Sequence, residues 1–159
     1  MARLLVVSHS RSGGTAQLRD AVLDGIASAT EEMGATASLE LRRLECEAAG
    51  PDDVRWAELV VLGCPERFGY MAGLMKDFLE RIYYEVIDET RSKPWGLFVK
   101  AGNDGSGAVR SVERIVAGLQ WKQVLAPVVA VGDDVTVEHT DAAWELGATL
   151  AAGLLSGLY

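Results

Sequence analysis

The sequence has few cysteines, few prolines and no long apolar run. Its two cysteines, Cys46 and Cys64, form neither a C-x-x-C pair nor a Cys/His cluster with zinc spacing. This argues against a disulfide scaffold and a metal site, and it predicts a reduced, cytoplasmic protein. The longest apolar run, residues 124–131, is far below the roughly 18 residues of a membrane span. The N-terminus is too short for a signal peptide, so we expect no membrane association.

Positive charge is also scarce. The 159 residues contain 15 Lys and Arg against 23 Asp and Glu, which gives a net charge of −8. An acidic surface disfavours nucleic acid, whose affinity for proteins comes mainly from cations that neutralise phosphates. The length and the 49% of hydrophobic residues suit one well-packed domain. We therefore expect residues 1–159 to form a single domain that does not bind nucleic acid.

Apolar runs alternate with segments of helical periodicity along the chain. The predicted strands are 4–7, 37–41, 59–62, 95–99 and 124–131. The predicted helices have apolar positions within 18–33, 74–86, 109–119 and 146–158, and Gly34 ends the first. Strands that are apolar on both faces and alternate with helices predict a doubly wound parallel sheet, here five-stranded with order 2-1-3-4-5 and helices on both faces. Such sheets bind ligands beyond the carboxyl ends of their strands, so the loops there are the candidate site.

The loop after the first strand has the composition of a phosphate-binding loop. It offers hydroxyl donors and two glycines that let the backbone approach a ligand, just before a helix N-terminus, and one arginine adds positive charge. The residues are Ser10, Arg11, Ser12, Gly13, Gly14 and Thr15. The alternative is a hydroxyl-rich helix cap without a ligand. The loop is neither a Walker motif nor G-x-G-x-x-G.

Two further loops follow the third and fourth strands. The first of them places two aromatic rings, Phe68 and Tyr70, in a loop, where they suit a planar heteroaromatic ligand unless they fold back onto the core. Its candidate residues are Pro65, Glu66, Arg67, Phe68, Gly69 and Tyr70. The other loop is rich in glycine and is compatible with either a ligand or a plain turn. Its candidate residues are Gly102, Asn103, Asp104 and Gly105.

These residues also carry a family resemblance. Residues 10–15 resemble the flavodoxin phosphate loop, S/T-x-T/S-G-x-T. Residues 63–81 resemble the segment G-x-P-x-x-F-G-x-M-x-x-x-M-K-x-F-L-D-R of the NAD(P)H:quinone oxidoreductases related to the tryptophan-repressor-binding protein. Glu66 stands where that family usually has Thr, and Tyr70 where it usually has Asn. The resemblance implies a flavodoxin-like fold that holds FMN in the three loops.

The resemblance further implies an oxidoreductase that takes electrons from NADH or NADPH and passes them to a quinone. The flavin would carry the chemistry, so no catalytic side chain is expected. One alternative is an electron carrier that serves a redox protein partner, which the acidic charge favours. Another is a flavodoxin-like interaction module without FMN. The pair Tyr83 and Tyr84 is a candidate contact for a homo-oligomer.

Overall fold

The computed structural model describes residues 1–159 and consists of a central sheet with helices on both sides. The strands are β1 (Ala2–Ser8), β2 (Leu39–Glu45), β3 (Leu59–Arg67), β4 (Tyr70–Met71), β5 (Pro94–Ala101), β6 (Lys122–Gln123) and β7 (Val128–Val131). The helices are α1 (Gly14–Glu32), α2 (Pro51–Trp56), α3 (Gly73–Val86), α4 (Ser106–Gly118) and α5 (Val137–Leu155). No helix is both long and apolar enough to span a membrane.

The sheet has the predicted doubly wound order. The neighbours run β2-β1-β3-β5, and β6 and β7 both pair with β5. All these pairs are parallel, whereas the short β4 pairs antiparallel with β3. Strands that alternate with covering helices require this arrangement, since each parallel connection must cross over one face.

Alternate residues of the central strands enter two separate cores. In β1, Leu5 and Val7 pack into the larger core, which α2, α3 and α4 cover. Leu4 and Val6 pack into the smaller core, under α1 and α5. The period of two along a strand sends neighbouring side chains to opposite faces. Both faces are therefore buried, as the continuous apolar runs predict.

The predicted fifth strand, residues 124–131, is wrong as a continuous element. The structure contains β6 and β7 instead, with residues 124–127 between them in no strand. Pro127 has no N–H to donate to a ladder, which explains why pairing with β5 stops and resumes at Val128.

Two other predicted boundaries are also wrong. Ala37 lies in a 3₁₀ turn, and the second strand begins at Leu39. Leu158 lies beyond α5 and is 73% exposed. The chain leaves the helix at Gly157, whose φ of +70° is left-handed.

Helices α1 and α5 cross with their backbones in contact. A Cβ atom added to Gly25 would lie 2.0 Å from the carbonyl oxygen of Trp144, and one added to Gly147 would lie 2.0 Å from that of Val22. Only glycine permits this approach from both helices. The crossing fixes α1 and therefore the loop that precedes it.

Gly147→Ala is expected to lower the free energy of unfolding by about 1–3 kcal/mol, because the added methyl group forces two helix backbones apart. The measurement is urea unfolding followed by circular dichroism. Gly73→Ala is the matched helical control, since its Cβ would meet nothing within 4 Å. Equal stability of the two variants would contradict the close crossing.

Candidate functional site

The carboxyl ends of β1, β3 and β5 lie side by side, as the strand order requires. Ser8 is in register with Gly63, and Gly63 with Phe98. The backbone N–H of His9 donates to the carbonyl oxygen of Gly63 over 3.0 Å. The three predicted loops therefore begin at one edge of the sheet.

The first loop leads directly into α1. Gly13 occupies the N-cap with a left-handed φ of +99°, and it supplies no side-chain cap. The hydroxyl of Ser10 accepts a hydrogen bond from the N–H of Ala16 over 3.0 Å. The N–H groups of Gly14 and Thr15 have no partner. Two free donors and the positive end of the helix dipole form an anion-binding arrangement.

Two buried hydroxyl groups at this edge lack any hydrogen-bond partner. They are Ser8 Oγ and Thr15 Oγ1, the only buried side-chain polar atoms of the chain in that condition. Thr15 is 2% exposed and Ser8 1%. An unpaired buried hydroxyl costs about 1–3 kcal/mol, so each requires an explanation. A phosphate oxygen at the start of α1 would accept from such a donor, and the residues present thus fit a phosphate group.

Sequence reasoning included Thr15 in the candidate site and omitted Ser8. The sequence feature that could have identified Ser8 is its position: it is a hydroxyl residue at the carboxyl end of an otherwise apolar strand.

Lys100 is a second residue that sequence reasoning left out of the site. Its aliphatic chain lies over Gly14, where an added Cβ would be 3.0 Å from Lys100 Cγ. Its ammonium group donates to the carbonyl oxygens of Gly132 and, over 3.3 Å, of Ala101. A half-buried cation therefore stands beside the start of α1, where it favours a bound anion. The signal for it was a lysine at the carboxyl end of a buried strand.

The second loop is the tight hairpin between β3 and β4. Arg67 pairs with Tyr70 across a two-residue turn, Phe68-Gly69, whose φ angles are +53° and +69°. Positive φ at both central positions is the signature of a type I′ turn. Phe68 is 100% exposed and Tyr70 43% exposed. Phe68 therefore does not fold back onto the core, and its bulky side chain occupies a backbone region that strongly prefers glycine.

The third loop and α4 support this hairpin from behind. A Cβ on Gly107 would lie 1.8 Å from the carbonyl oxygen of Gly69, so the two backbones touch. The hydroxyl of Ser111 accepts from the N–H of Met71 over 3.0 Å. Glu66 Oε2 accepts from the N–H of Ala108 over 3.4 Å. The carboxylate of Glu66 therefore faces the positive N-terminal end of α4. This favourable interaction explains why an acidic residue stands at this position.

The tip of the third loop is exposed. Gly105 caps α4 with a φ of +74°, and Asp104 Oδ1 accepts from the N–H of Ser106 over 2.8 Å. This hydrogen bond lowers the pKa of Asp104. Gly102 and Asn103 are exposed. No aromatic side chain stands in this loop.

A cleft of about 720 Å³ opens between the first loop and the hairpin. His9 and Arg11 line it on one side, and Arg67, Phe68 and Tyr70 on the other. The other predicted residues do not line the cleft: the rest of the first loop lies before and at the start of α1, and the others outside the lining are Pro65, Glu66, Gly69 and Gly102 to Gly105. The structure therefore brings the first two loops into one cleft and leaves the third beside it.

Both cysteines are buried free thiols. Burial raises the pKa of Cys64 to about 11. Burial, with nearby Cys64 and acidic side chains, raises the pKa of Cys46 further. Neither thiol is ionised near neutral pH, so neither is a nucleophile of this site.

Residues 48–136, more than half of the chain, match the family described as NADPH-dependent FMN reductase. The chain is 32% identical over 97 residues to the NAD(P)H dehydrogenase (quinone) of Archaeoglobus fulgidus, covering 50% of this chain and 51% of that protein. It is 26% identical over 107 residues to a flavodoxin of Aquifex aeolicus, covering 67% and 54% respectively. The chain thus spans about half the length of these curated relatives.

Solved structures share the fold over nearly the whole chain. A flavodoxin from the domain Archaea superposes with a TM-score of 0.80 at 19% identity, covering 96% of this chain and 99% of that one. The flavodoxin, WrbA-like protein from Agrobacterium tumefaciens gives 0.77 at 17% identity, covering 98% and 99%. The predicted flavodoxin-like fold is confirmed. The predicted family resemblance is confirmed as well, with FMN as the cofactor of that family and NAD(P)H as its electron donor.

Proposed function

The chain belongs to the NADPH-dependent FMN reductase family, and on that basis we propose that it carries electrons from NAD(P)H, through bound FMN, to a quinone or similar small acceptor. When bound, FMN would supply the redox chemistry of hydride acceptance and onward electron transfer. The protein binds and orients the cofactor. The quinone is proposed by analogy with the relative from Archaeoglobus fulgidus, whose name includes it. A cytoplasmic setting is proposed because both cysteines are free thiols.

The phosphate end of FMN would be held at the start of α1. The free N–H groups of Gly14 and Thr15 and the orphaned hydroxyl of Thr15 supply hydrogen bonds, while Lys100 and Arg11 supply positive charge. This orphaned, buried hydroxyl is the observation that carries the proposal. It is a donor without an acceptor in the chain, at the place where a phosphate is expected.

The ring of the flavin would lie against the hairpin. Phe68 and Tyr70 present exposed aromatic surface to the cleft, and such surface favours a flat ring by burial and stacking. The hairpin is held by the backbone of Gly107 and by Ser111. Because these contacts hold the hairpin in place without the cofactor, less conformational entropy is lost when FMN binds.

The third loop distinguishes an enzyme from a carrier. Its exposed residues Gly102 and Asn103 carry no bulky side chain, so we infer that this side of the site admits a nicotinamide or a quinone. Asn103→Trp is expected to slow both reduction by NAD(P)H and reoxidation by a quinone, while FMN stays bound, because the indole would occupy that space. Stopped-flow absorbance of the flavin measures both half-reactions. Unchanged rates in this variant would remove the third loop from the donor site.

An electron carrier is the second candidate. The net charge of −8 favours docking to a basic redox protein, and the relative from Aquifex aeolicus is named a flavodoxin. A holoprotein whose flavin neither NADH nor NADPH reduces, but which a partner reductase reduces, would favour the carrier. A chain that takes up no FMN would overturn both proposals in favour of an interaction module.

A further inference from the structure

Four arginines of this acidic chain have no carboxylate partner. They are Arg11, Arg67, Arg110 and Arg114. Every other arginine lies within 4.0 Å of a carboxylate oxygen. In a chain with eight surplus negative charges, these four side chains keep their positive charge uncompensated by a carboxylate, and a cleft that such cations line favours an anionic ligand.

Three of these arginines line two adjoining clefts. Arg11 and Arg67 line the cleft between the first loop and the hairpin. Arg114 lines a second cleft, of about 600 Å³, between α3 and α4. Tyr70 lines both clefts, so they meet at the hairpin. A ligand bound in the second cleft would therefore lie next to the first.

The second cleft combines cations with aromatic rings. Arg114 and Lys76 face it, and its single acid, Glu80, is paired with Lys76. Tyr84 is 86% exposed and meets the ring of Tyr83 edge to face, with 5.1 Å between centroids. The lining carries a surplus positive charge beside an open aromatic face. This chemistry suits a phosphate group attached to a planar base.

We propose that the cleft between α3 and α4 binds the adenosine end of the nucleotide donor, and that Arg114 recognises a 2′-phosphate there. The proposal rests on the proposed function for its ligand. The family is described as NADPH-dependent, and the proposal names Arg114 as the residue that distinguishes NADPH from NADH. Arginine presents a planar fork of donors that pairs with a phosphate through two hydrogen bonds. Tyr84 supplies the surface on which the adenine stacks.

The experiment titrates 2′,5′-ADP and 5′-AMP into the full chain saturated with FMN, using isothermal calorimetry. We expect 2′,5′-ADP to bind roughly 10- to 100-fold more tightly, as is typical of hydrogen bonds to a charged group. Arg114→Gln should abolish most of that difference and leave 5′-AMP unchanged. Tyr84→Ser should weaken both nucleotides together, since it removes stacking rather than charge.

Arg91→Gln is the matched control, because Arg91 is an exposed arginine that pairs with Asp88 outside the cleft. It should leave both affinities unchanged. The nucleotide site would be overturned if the wild type bound both nucleotides with equal affinity. It would also be overturned if Arg114→Gln kept the wild-type preference for 2′,5′-ADP. A dimer that forms on concentration and that Tyr84→Ser dissolves would overturn it too, because a second copy would then occupy the cleft.

Failure of the proposed function is a separate result. Binding of 2′,5′-ADP at Arg114 without reduction of bound FMN by NADPH would overturn the oxidoreductase and support the nucleotide site. Reduction of the flavin at equal rates by NADPH and NADH, with neither nucleotide binding at Arg114, would overturn the nucleotide site and support the oxidoreductase.

Discussion

The Thr15→Val substitution is expected to stabilise the flavin-free protein and to weaken FMN binding. Valine keeps the shape of threonine and removes a buried hydroxyl that has no partner. The free energy of unfolding without flavin should rise by about 1–3 kcal/mol, the cost of an unsatisfied buried polar group. The affinity for FMN should fall roughly 10- to 150-fold, since a hydrogen bond to a charged phosphate contributes about 1.5–3 kcal/mol.

Thermal unfolding without FMN and fluorescence quenching with FMN measure the two effects. Ser10→Ala is the control within the same loop. The Ser10 hydroxyl already accepts from the N–H of Ala16, so its loss should destabilise the protein by about 1 kcal/mol. If Thr15→Val lowers stability and leaves the FMN affinity unchanged, its hydroxyl has a structural role and the phosphate site lies elsewhere.

Substitutions of Phe68 separate ring contact from backbone strain. Phe68→Ala and Phe68→Gly both remove the exposed ring, so both should weaken FMN binding by roughly 1–3 kcal/mol through lost burial and stacking. Only glycine relieves the left-handed φ of +53°. The free energy of unfolding of Phe68→Gly should therefore be about 1 kcal/mol higher than that of Phe68→Ala.

Urea unfolding of the flavin-free variants and FMN titration of each give the required numbers. Leu158→Ala controls for the loss of an exposed apolar side chain, since Leu158 is 73% exposed outside the cleft. The proposed role of Phe68 fails if both variants bind FMN as tightly as the wild type. Equal stability of the alanine and glycine variants would show that the backbone at residue 68 is not strained.

The doubly wound fold was predictable because its signal is local. The runs around Leu5, Val61 and Leu97 are apolar at every position, which only strands covered on both faces require. Helix α2 escaped prediction because six residues that begin with Pro51 are too few to show a helical period. The strand β4 has two residues and is defined only by its pairing with β3.

The candidate site was predictable in composition and not in geometry. A hydroxyl- and glycine-rich loop before a helix shows that an anion is favoured there. It does not show that the Ser10 hydroxyl already accepts from the N–H of Ala16 while the Thr15 hydroxyl has no partner. The position of Lys100 over Gly14 depends on the sheet order. Likewise, Glu66 and its partner Ala108 are 42 positions apart in the sequence, so their contact depends on the tertiary fold.

The glycine crossing of α1 and α5 has a consequence for synthesis on the ribosome. Helix α1 leads out of the candidate phosphate loop, yet its packing partner α5 is translated only after every strand of the sheet. A nascent chain that stops before Val137 lacks the surface that locks α1 in place. We expect such ribosome-bound chains to take up no FMN, and cofactor loading to wait until α5 has been synthesised.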